Sequence, residues 1–467
     1  MIRVFSQYVS PKSVILMLLE AALITTALVC GVRLRFWDNS PGFADYVGTP
    51  EFPFQAGAFV LILQICFYYC DLYHWKAIRY RHEQLIALGQ ALGAGCLLLG
   101  LLYFVFPDLL IGRGVFFISV VLVAGFVVLD RGLLDRLWRV AALSESIVIL
   151  GTGELAATVA RELRRRDDLN VRLAGFIKPN GAQSTQAEIS GTPVLGAGSE
   201  LQAVVTEHAV SRIVVALEDR RNALPVRELV RLRVAGIRVE DAHTIISSLT
   251  GRVWLETLKP SWFVFSEGFR RSTITLLVKR AIDLSCALLG LVLSLPLMIL
   301  VALATRLDSR GPLIYRQTRV GLRGHTFELL KFRSMRSDAE EENGAQWARQ
   351  QDPRVTRVGR FLRKYRLDEL PQFLNIVRGE MSFVGPRPER PVFVEQLRKE
   401  ISYYDERHTV RPGLTGWAQV QYHYAGSVDD AKRKLEYDLF YIKHRSIWMD
   451  LLILLRTPAM VLGFRGR

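Results

Sequence analysis

A chain of 467 residues has room for roughly two or three domains, and half of its residues are hydrophobic, more than a soluble globular protein usually carries. The formal net charge of +15 suits nucleic acid, anionic lipid head groups or phosphorylated substrates, and the apolar content favours the last two over nucleic acid. Five cysteines lie in apolar runs and eight histidines are scattered, so neither a disulfide framework nor a metal knuckle is spaced correctly.

Four apolar runs come first, near 14–32, 54–73, 85–106 and 115–129, each approaching or reaching the ~20 residues that cross a hydrocarbon core. The first lacks a small-residue cleavage site and is followed by more such runs, so no cleavable signal peptide is expected. WKAIRYRH (75–82) after the second run is basic, as are Arg131, Arg136 and Arg139 after the fourth, whereas 33–53 balances its charges. The positive-inside rule then puts both chain ends in the cytoplasm of a multi-pass membrane protein. Glu20 and Asp71, within or beside these runs, are expected to face neighbouring helices or the interface, with a transport role as the alternative.

SIVILGTGELAATVARELRRR (146–166) reads as a strand, a Gly-x-Gly-x-x-Ala turn and an amphipathic helix, and RLAGFI, TPVLG and SRIVVAL continue a doubly wound α/β pattern. The glycine turn could hold a pyrophosphate at the helix start. Lys178 stands where a ribose-binding acid would be sought, so a structural or regulatory role is the first expectation.

A connector near 251–272 leads to a fifth apolar run, 281–305, flanked by Lys279 and Arg280 before it and by Arg306, Arg310, Arg316 and Arg319 after it. Both flanks ask for the same membrane face. Pro296, in mid-run, removes a helix hydrogen bond and favours a break, so a re-entrant helix over 276–306 is expected; an ordinary kinked crossing is the alternative.

Beyond Leu313 the chain is densely basic. Lys331, Arg333 and Arg387, with Arg316 and Arg319, are candidate phosphate ligands, because a guanidinium fork matches phosphate oxygens. Asp368 and Glu369 precede LPQFLNIV, whose apolar spacing is helical, so Asp368 is expected at or near a helix start. An N-cap aspartate would be the plain explanation. Two adjacent acids among cations suggest more: one carboxylate can attack phosphorus, and its neighbour can hold Mg²⁺.

From about Thr273 onward, six ordered motifs carry a resemblance: KRAIDL with Arg280 and Asp283, the broken apolar helix with Pro296, KFRSM, LDELPQ, VGPRP and RPGLTGWAQV. The chain resembles the bacterial sugar transferases, monotopic polyprenyl-phosphate hexose-1-phosphate transferases, in their large form with a leading helix bundle and a Rossmann-like domain. The resemblance implies that Asp368 attacks the sugar-bearing phosphate of a UDP-sugar and releases UMP, that Glu369 binds Mg²⁺, and that undecaprenyl phosphate accepts the sugar phosphate at the inner-membrane lipid surface. It also implies that Lys331, Arg333 and Arg387 occupy basic active-site positions, that Arg280 and Asp283 form a pair holding the membrane helix, and that the catalytic domain faces the cytoplasm. A homodimer through the middle domain is open to such proteins, without support from residues here. After GWAQV the chain departs from many relatives with QYHYAGSVDDAKRKLEYD, similar to a subgroup tied to exopolysaccharide and exosortase loci, and this leaves the sugar undetermined.

The expected division is 1–140 for four transmembrane helices, 141–250 for the α/β domain, 251–272 for the connector and 273–467 for an α/β monotopic catalytic domain. The tail, 435–462, has the aromatic and basic mixture of interfacial helices. Membrane-bound nucleotide-sugar dehydratases resemble the same front half, but their second glycine-rich turn and Tyr-x-x-x-Lys relay do not follow here. A non-catalytic nucleotide-sensing scaffold would leave the acid pair among cations unexplained.

Overall fold

The computed structural model describes residues 2–4, 7–9, 11–70, 72–73, 81–138, 145–166, 169, 171–179, 188–189, 191–217, 223–256, 258, 260–265, 268–269, 272–336, 354–422 and 427–461. Beyond the first seven residues the chain folds as two compact units, 8–242 and 243–467.

The first unit opens with helices α1 (Pro11–Arg35), α2 (Phe52–Tyr69), α3 (Arg81–Val105) and α4 (Arg113–Trp138), all long and apolar enough to cross a membrane. They are apolar on every side: Ile24, Phe59, Leu99 and Val123 are fully buried between helices, while Leu18, Leu97, Phe104 and Phe117 point outward. Glu20 faces a neighbouring helix as expected, and its Oε1 accepts from Arg131 Nε at 3.0 Å and from the same guanidinium's terminal nitrogen at 2.7 Å. Asp71, Arg139 and residues 75–80 lie outside the described residues.

A sheet of β1 (Glu145–Leu150), β2 (Val171–Lys178), β3 (Glu188–Ile189), β4 (Thr192–Ala197), β5 (Arg212–Val215) and β6 (Arg238–Asp241) follows in the order β3-β4-β2-β1-β5-β6. It is mixed, because β3 pairs antiparallel with β4 while the other pairs are parallel. Gly151, between β1 and helix α5 (Glu154–Arg164), has φ +136°, and a Cβ there would lie 2.2 Å from the Ala216 carbonyl oxygen. Backbone approach by itself therefore requires this glycine.

In the second unit, helix α6 (Thr273–Asp308) starts where Ser272 Oγ accepts from the Thr275 amide at 3.2 Å. The interruption expected at Pro296 is not present as a gap: the segment is helical over all 36 residues with the proline inside it. Its contacts recur in steps of three and four. Asp283 and Ala287 are buried, Gly290 lies against Phe373, Met298 and Ala302 pack on Phe332 and Leu362, and Val301 and Thr305 are buried again. One stripe thus rests on the domain from end to end, while Leu289, Val292, Leu293, Ile299, Leu300 and Leu303 stay exposed on the remaining circumference.

Polar clamps hold both ends of that stripe. Arg280 donates to the carbonyls of Ile376 and Val377 at 2.7 and 2.9 Å, and Asp283 accepts from Ser382 Oγ at 2.7 Å and from the Phe383 amide at 3.2 Å. At the far end Arg333 donates to the carbonyls of Ser309 and Pro312 at 2.6 and 2.7 Å, and Asp308 accepts from the Val358 amide at 3.2 Å. Arg280 and Asp283 therefore grip different segments instead of each other.

The rest of the unit comprises the hairpin β7 (Ile314–Val320) and β8 (Thr326–Phe332), helices α7 (Arg357–Lys364) and α8 (Gln372–Arg378), and β9 (Ser382–Val384) paired with β10 (Gly413–Thr415). Helices α9 (Val428–His444) and α10 (Ile447–Val461) close it. The connector stretch adds Val253 and Leu258 to this core. The tail divides: Leu439, Phe440 and Tyr441 of α9 are buried in the core, which contradicts an interfacial reading for that helix, whereas α10 buries Met449 and Ile453 and exposes Trp448, Leu451 and Leu455.

Asp283 is buried, and truncating it leaves the Phe383 amide without its acceptor and Ser382 with only the Val384 carbonyl at 3.2 Å. Asp283→Ala is expected to cost about 1–3 kcal/mol, readable as a lower denaturant midpoint in detergent; an unchanged midpoint would remove the clamp.

Candidate active site

A cleft of about 570 Å³ opens over the β7–β8 hairpin. Strand alternation decides which hairpin residues reach it. Lys331 is directly opposite Tyr315, and with Gln317 and Arg319 these face the cleft. Arg316 falls on the other parity, exposed, paired with Glu328 at 3.3 Å and outside the cleft.

The acid pair sits in a short 3₁₀ turn, Leu367–Glu369, four residues ahead of α8. Asp368 caps no helix, so the N-cap explanation does not apply. Arg366 enters the turn with φ +58°, a left-handed conformation that costs a non-glycine residue about 1 kcal/mol. Its guanidinium donates to Glu369 Oε1 at 3.2 Å, and Arg387 donates to the same oxygen at 2.7 Å. Arg387 arrives on the loop after β9, where a Cβ on Gly385 would lie 2.4 Å from the Arg411 carbonyl oxygen. The VGPRP and RPGLTG stretches thus touch through backbone that a larger residue would separate.

Both carboxylates are buried, yet their environments push them in opposite directions. Burial alone would raise the Glu369 carboxyl, but Arg387, Lys331 and Arg366 hold it well below the usual carboxylate range. Burial and the adjacent Glu369 charge raise Asp368, against Lys331, Arg363 and Arg366. Asp368 Oδ1 is buried without a hydrogen-bond partner. One acid has its charge neutralised by the protein; the other keeps an open oxygen.

Lys331 shares this cleft, and burial pushes its amine down to about 8, with Arg387 and Arg319 acting the same way against the pull of Glu369. Arg319 lines the cleft, held 3.6 Å from Glu389 and donating to the Pro388 carbonyl at 3.0 Å. Arg333 borders the cleft, but its guanidinium is occupied by the carbonyls at the end of α6. Arg280, Asp283 and Pro296 lie on α6 and take no part in the cleft lining.

Sequence reasoning passed over several lining residues. Arg363 and Arg366 stand just ahead of LDELPQ in a basic stretch, where one arginine looks like another. Arg407 and Lys434 belong to no motif and reach the cleft only through the fold.

A divalent cation such as Mg²⁺ needs one or two protein oxygens when substrate phosphates supply the rest. The unpartnered Asp368 Oδ1 beside Glu369 fits that requirement. Glu369 Oε1 already accepts two guanidinium groups, so its second oxygen is the one left to serve as the expected ligand, with Asp368 Oδ1 adjacent.

A carboxylate pair in a cationic cleft, in a unit that carries a long apolar helix, defines a class of protein with a charged site beside an apolar surface. The profile of the bacterial sugar transferase family matches 274–464, and that of a CoA-binding domain matches 69–239. The chain is 43% identical over 242 residues to the UDP-N-acetylgalactosamine-undecaprenyl-phosphate N-acetylgalactosaminephosphotransferase of Aeromonas hydrophila, covering 52% of this chain and 56% of that protein. It therefore spans little more than half of that relative's length. Two UDP-glucose:undecaprenyl-phosphate glucose-1-phosphate transferases match at greater length. That of Xanthomonas campestris pv. campestris is 29% identical over 99% of this chain and 96% of its own, and that of Klebsiella pneumoniae 30% identical over 88% and 89%. The chain belongs to the bacterial sugar transferase family.

Lys331 is charged below its pKa and loses its charge as pH rises through about 8. Inorganic pyrophosphate should accordingly bind the full chain more weakly above that pH, and Lys331→Arg should flatten the alkaline decline. Calorimetric titration in detergent checks this, and wild-type affinity that is constant between about pH 7 and 9 would contradict it.

Proposed function

We propose that the protein transfers a hexose 1-phosphate from a UDP-sugar to undecaprenyl phosphate, releasing UMP, in two displacements at Asp368. The observation that carries this reading is the split between the two acids: Glu369 is neutralised by Arg387 and Arg366, while Asp368 keeps a buried oxygen without a partner. In the first step that oxygen attacks the sugar-bearing phosphorus. The bond from this phosphorus to the oxygen bridging to the nucleotide phosphate breaks, and UMP departs with the electron pair. In the second step a phosphate oxygen of the lipid attacks the same phosphorus and returns the Asp368 carboxylate. A raised pKa makes Asp368 the more nucleophilic carboxylate of the two. Lys331 and Arg387 neutralise the charge gathered on the transferred phosphoryl group. Mg²⁺ held by Glu369 would add to that neutralisation.

Features of α6 support a reading of how the protein meets the membrane. A helix crossing the bilayer leaves its domain at one end, yet this one is gripped at Arg280 and Asp283 and again at Asp308 and Ser309, with an apolar outer face between. We read it as lying within one leaflet of the inner membrane without crossing it, with the catalytic domain on the cytoplasmic face. Charge on both flanks supports the same side. The α/β sheet ahead of it is read as a doubly wound domain with a structural or regulatory role, its Gly151 being accounted for by packing.

Asp368→Asn should lower UMP release from UDP-hexoses by roughly 10³-fold or more in purified protein supplied with undecaprenyl phosphate, and Glu369→Gln should impair chiefly the metal-dependent part. Full activity in Asp368→Asn would remove the assignment. For the membrane reading, a cysteine at Ser309 should resist labelling in intact cells and react after permeabilisation; labelling from outside would mean a crossing.

A further inference from the structure

The cleft runs along a series of contacts whose two ends differ. At one end Ser334, bonded by Arg363 Nε at 2.9 Å, adjoins Arg333 and so the end of α6. At the middle stand Asp368 and Glu369 with Arg387. Beyond them Arg407, fully enclosed, donates to the Arg387 carbonyl at 2.9 Å, to Asp438 Oδ2 at 3.0 Å and to Tyr404 Oη at 2.5 Å. Asp438 lies on α9, and Lys434 lies one turn before it on the same face, lining the far end with Phe393 and Tyr404.

The arginines nearest the acids already have partners: Arg366 and Arg387 on Glu369, Arg319 on Glu389, Arg363 on Ser334 and Arg407 on Asp438. The two lysines that line the cleft do not. Among the described residues neither Lys331 nor Lys434 makes a hydrogen bond or an ion pair, although Lys434 feels Glu389 and Asp438 as well as Arg407 and Arg387. A half-buried amine that lies near carboxylates without touching any of them is placed to close on an arriving anion. Lys331, beside the acid pair, meets the transferred phosphoryl group. Lys434 stands on α9, one turn before the Asp438 that Arg407 holds, and lines the cleft beside Arg407 and Tyr404.

We propose that Lys434 is a binding residue for the phosphate of the departing nucleoside monophosphate, at a subsite on α9 separate from the end of the cleft that admits the lipid. The inference rests on the two-displacement reading above and deepens it: donor and acceptor share one phosphorus position but leave by opposite ends. The Arg407–Asp438 pair beneath Lys434 is the positioning element, since it ties α9 to the backbone of Arg387.

Binding of three probes to the full chain in detergent, measured by calorimetry, tests the subsite: UMP, uridine and a short-chain polyprenyl phosphate. Lys434→Gln should weaken UMP by roughly 10-fold or more, the size of one charge-assisted hydrogen bond, and leave uridine and polyprenyl phosphate unchanged, with Lys434→Arg restoring most of the UMP affinity. Unchanged UMP binding in Lys434→Gln overturns the proposal, as does a loss confined to polyprenyl phosphate or a wild-type chain that binds no UMP. A thermal midpoint for Lys434→Gln matching wild type separates lost affinity from lost fold. Wild-type protein that binds UMP through Lys434 yet releases none from any UDP-hexose would defeat the transfer reading and leave the subsite standing.

Discussion

The ion pair between half-buried Arg387 and buried Glu369 is the interaction on which the site depends. Placing two adjacent carboxylates below the surface is costly unless at least one is compensated. Arg387, at 2.7 Å, and Arg366, at 3.2 Å, both converge on the same Glu369 oxygen, so the compensation is concentrated on one acid. The consequence for Asp368 is indirect: it stays next to a fixed negative charge, with its own pKa raised and one oxygen open. Removing the cation would couple the two acids and erase the difference between them.

That pair in turn relies on how its elements are mounted. Glu369 is in a tight turn whose preceding residue is in a left-handed conformation, and Arg387 is on a loop whose Gly385 touches neighbouring backbone. Both segments are bolted to α6, the turn region through Arg280 on the end of α8 and the loop through Asp283 on β9. The same helix presents its remaining circumference as apolar surface. One element therefore fixes the acids relative to each other and carries the surface that a bilayer would cover, so chemistry and membrane depth are set together.

Much of this was legible in residues. Apolar runs marked the five long helices, alternation of strand-like and helical stretches marked the α/β unit, and LDELP among arginines marked the site. What escaped has physical causes. Pro296 argued for a break, but a proline can be accommodated inside a helix whose neighbours hold both sides, and hydrogen bonding continues around it. Arg316 and Arg319 looked alike in a basic stretch, and only strand parity against β8 sends one to the cleft and the other to solvent. Arg333 counted as a phosphate ligand by composition, yet helix α6 ends beside it with unsatisfied carbonyls, which claim the guanidinium. Arg407 stands four residues before RPGLTGWAQV and Lys434 in the stretch that follows GWAQV, but no motif marks either one, and only the fold brings them to the cleft.

The central claim is that Asp368, not its neutralised neighbour, takes the phosphoryl group. Rapid quenching of purified protein mixed with a UDP-hexose and no lipid acceptor, followed by proteolysis and mass spectrometry, tests it most directly. The account requires a peptide containing Asp368 that carries one hexose phosphate, disappearing when undecaprenyl phosphate is added. A turning-over enzyme that never carries that mass, or carries it on another residue, would contradict it.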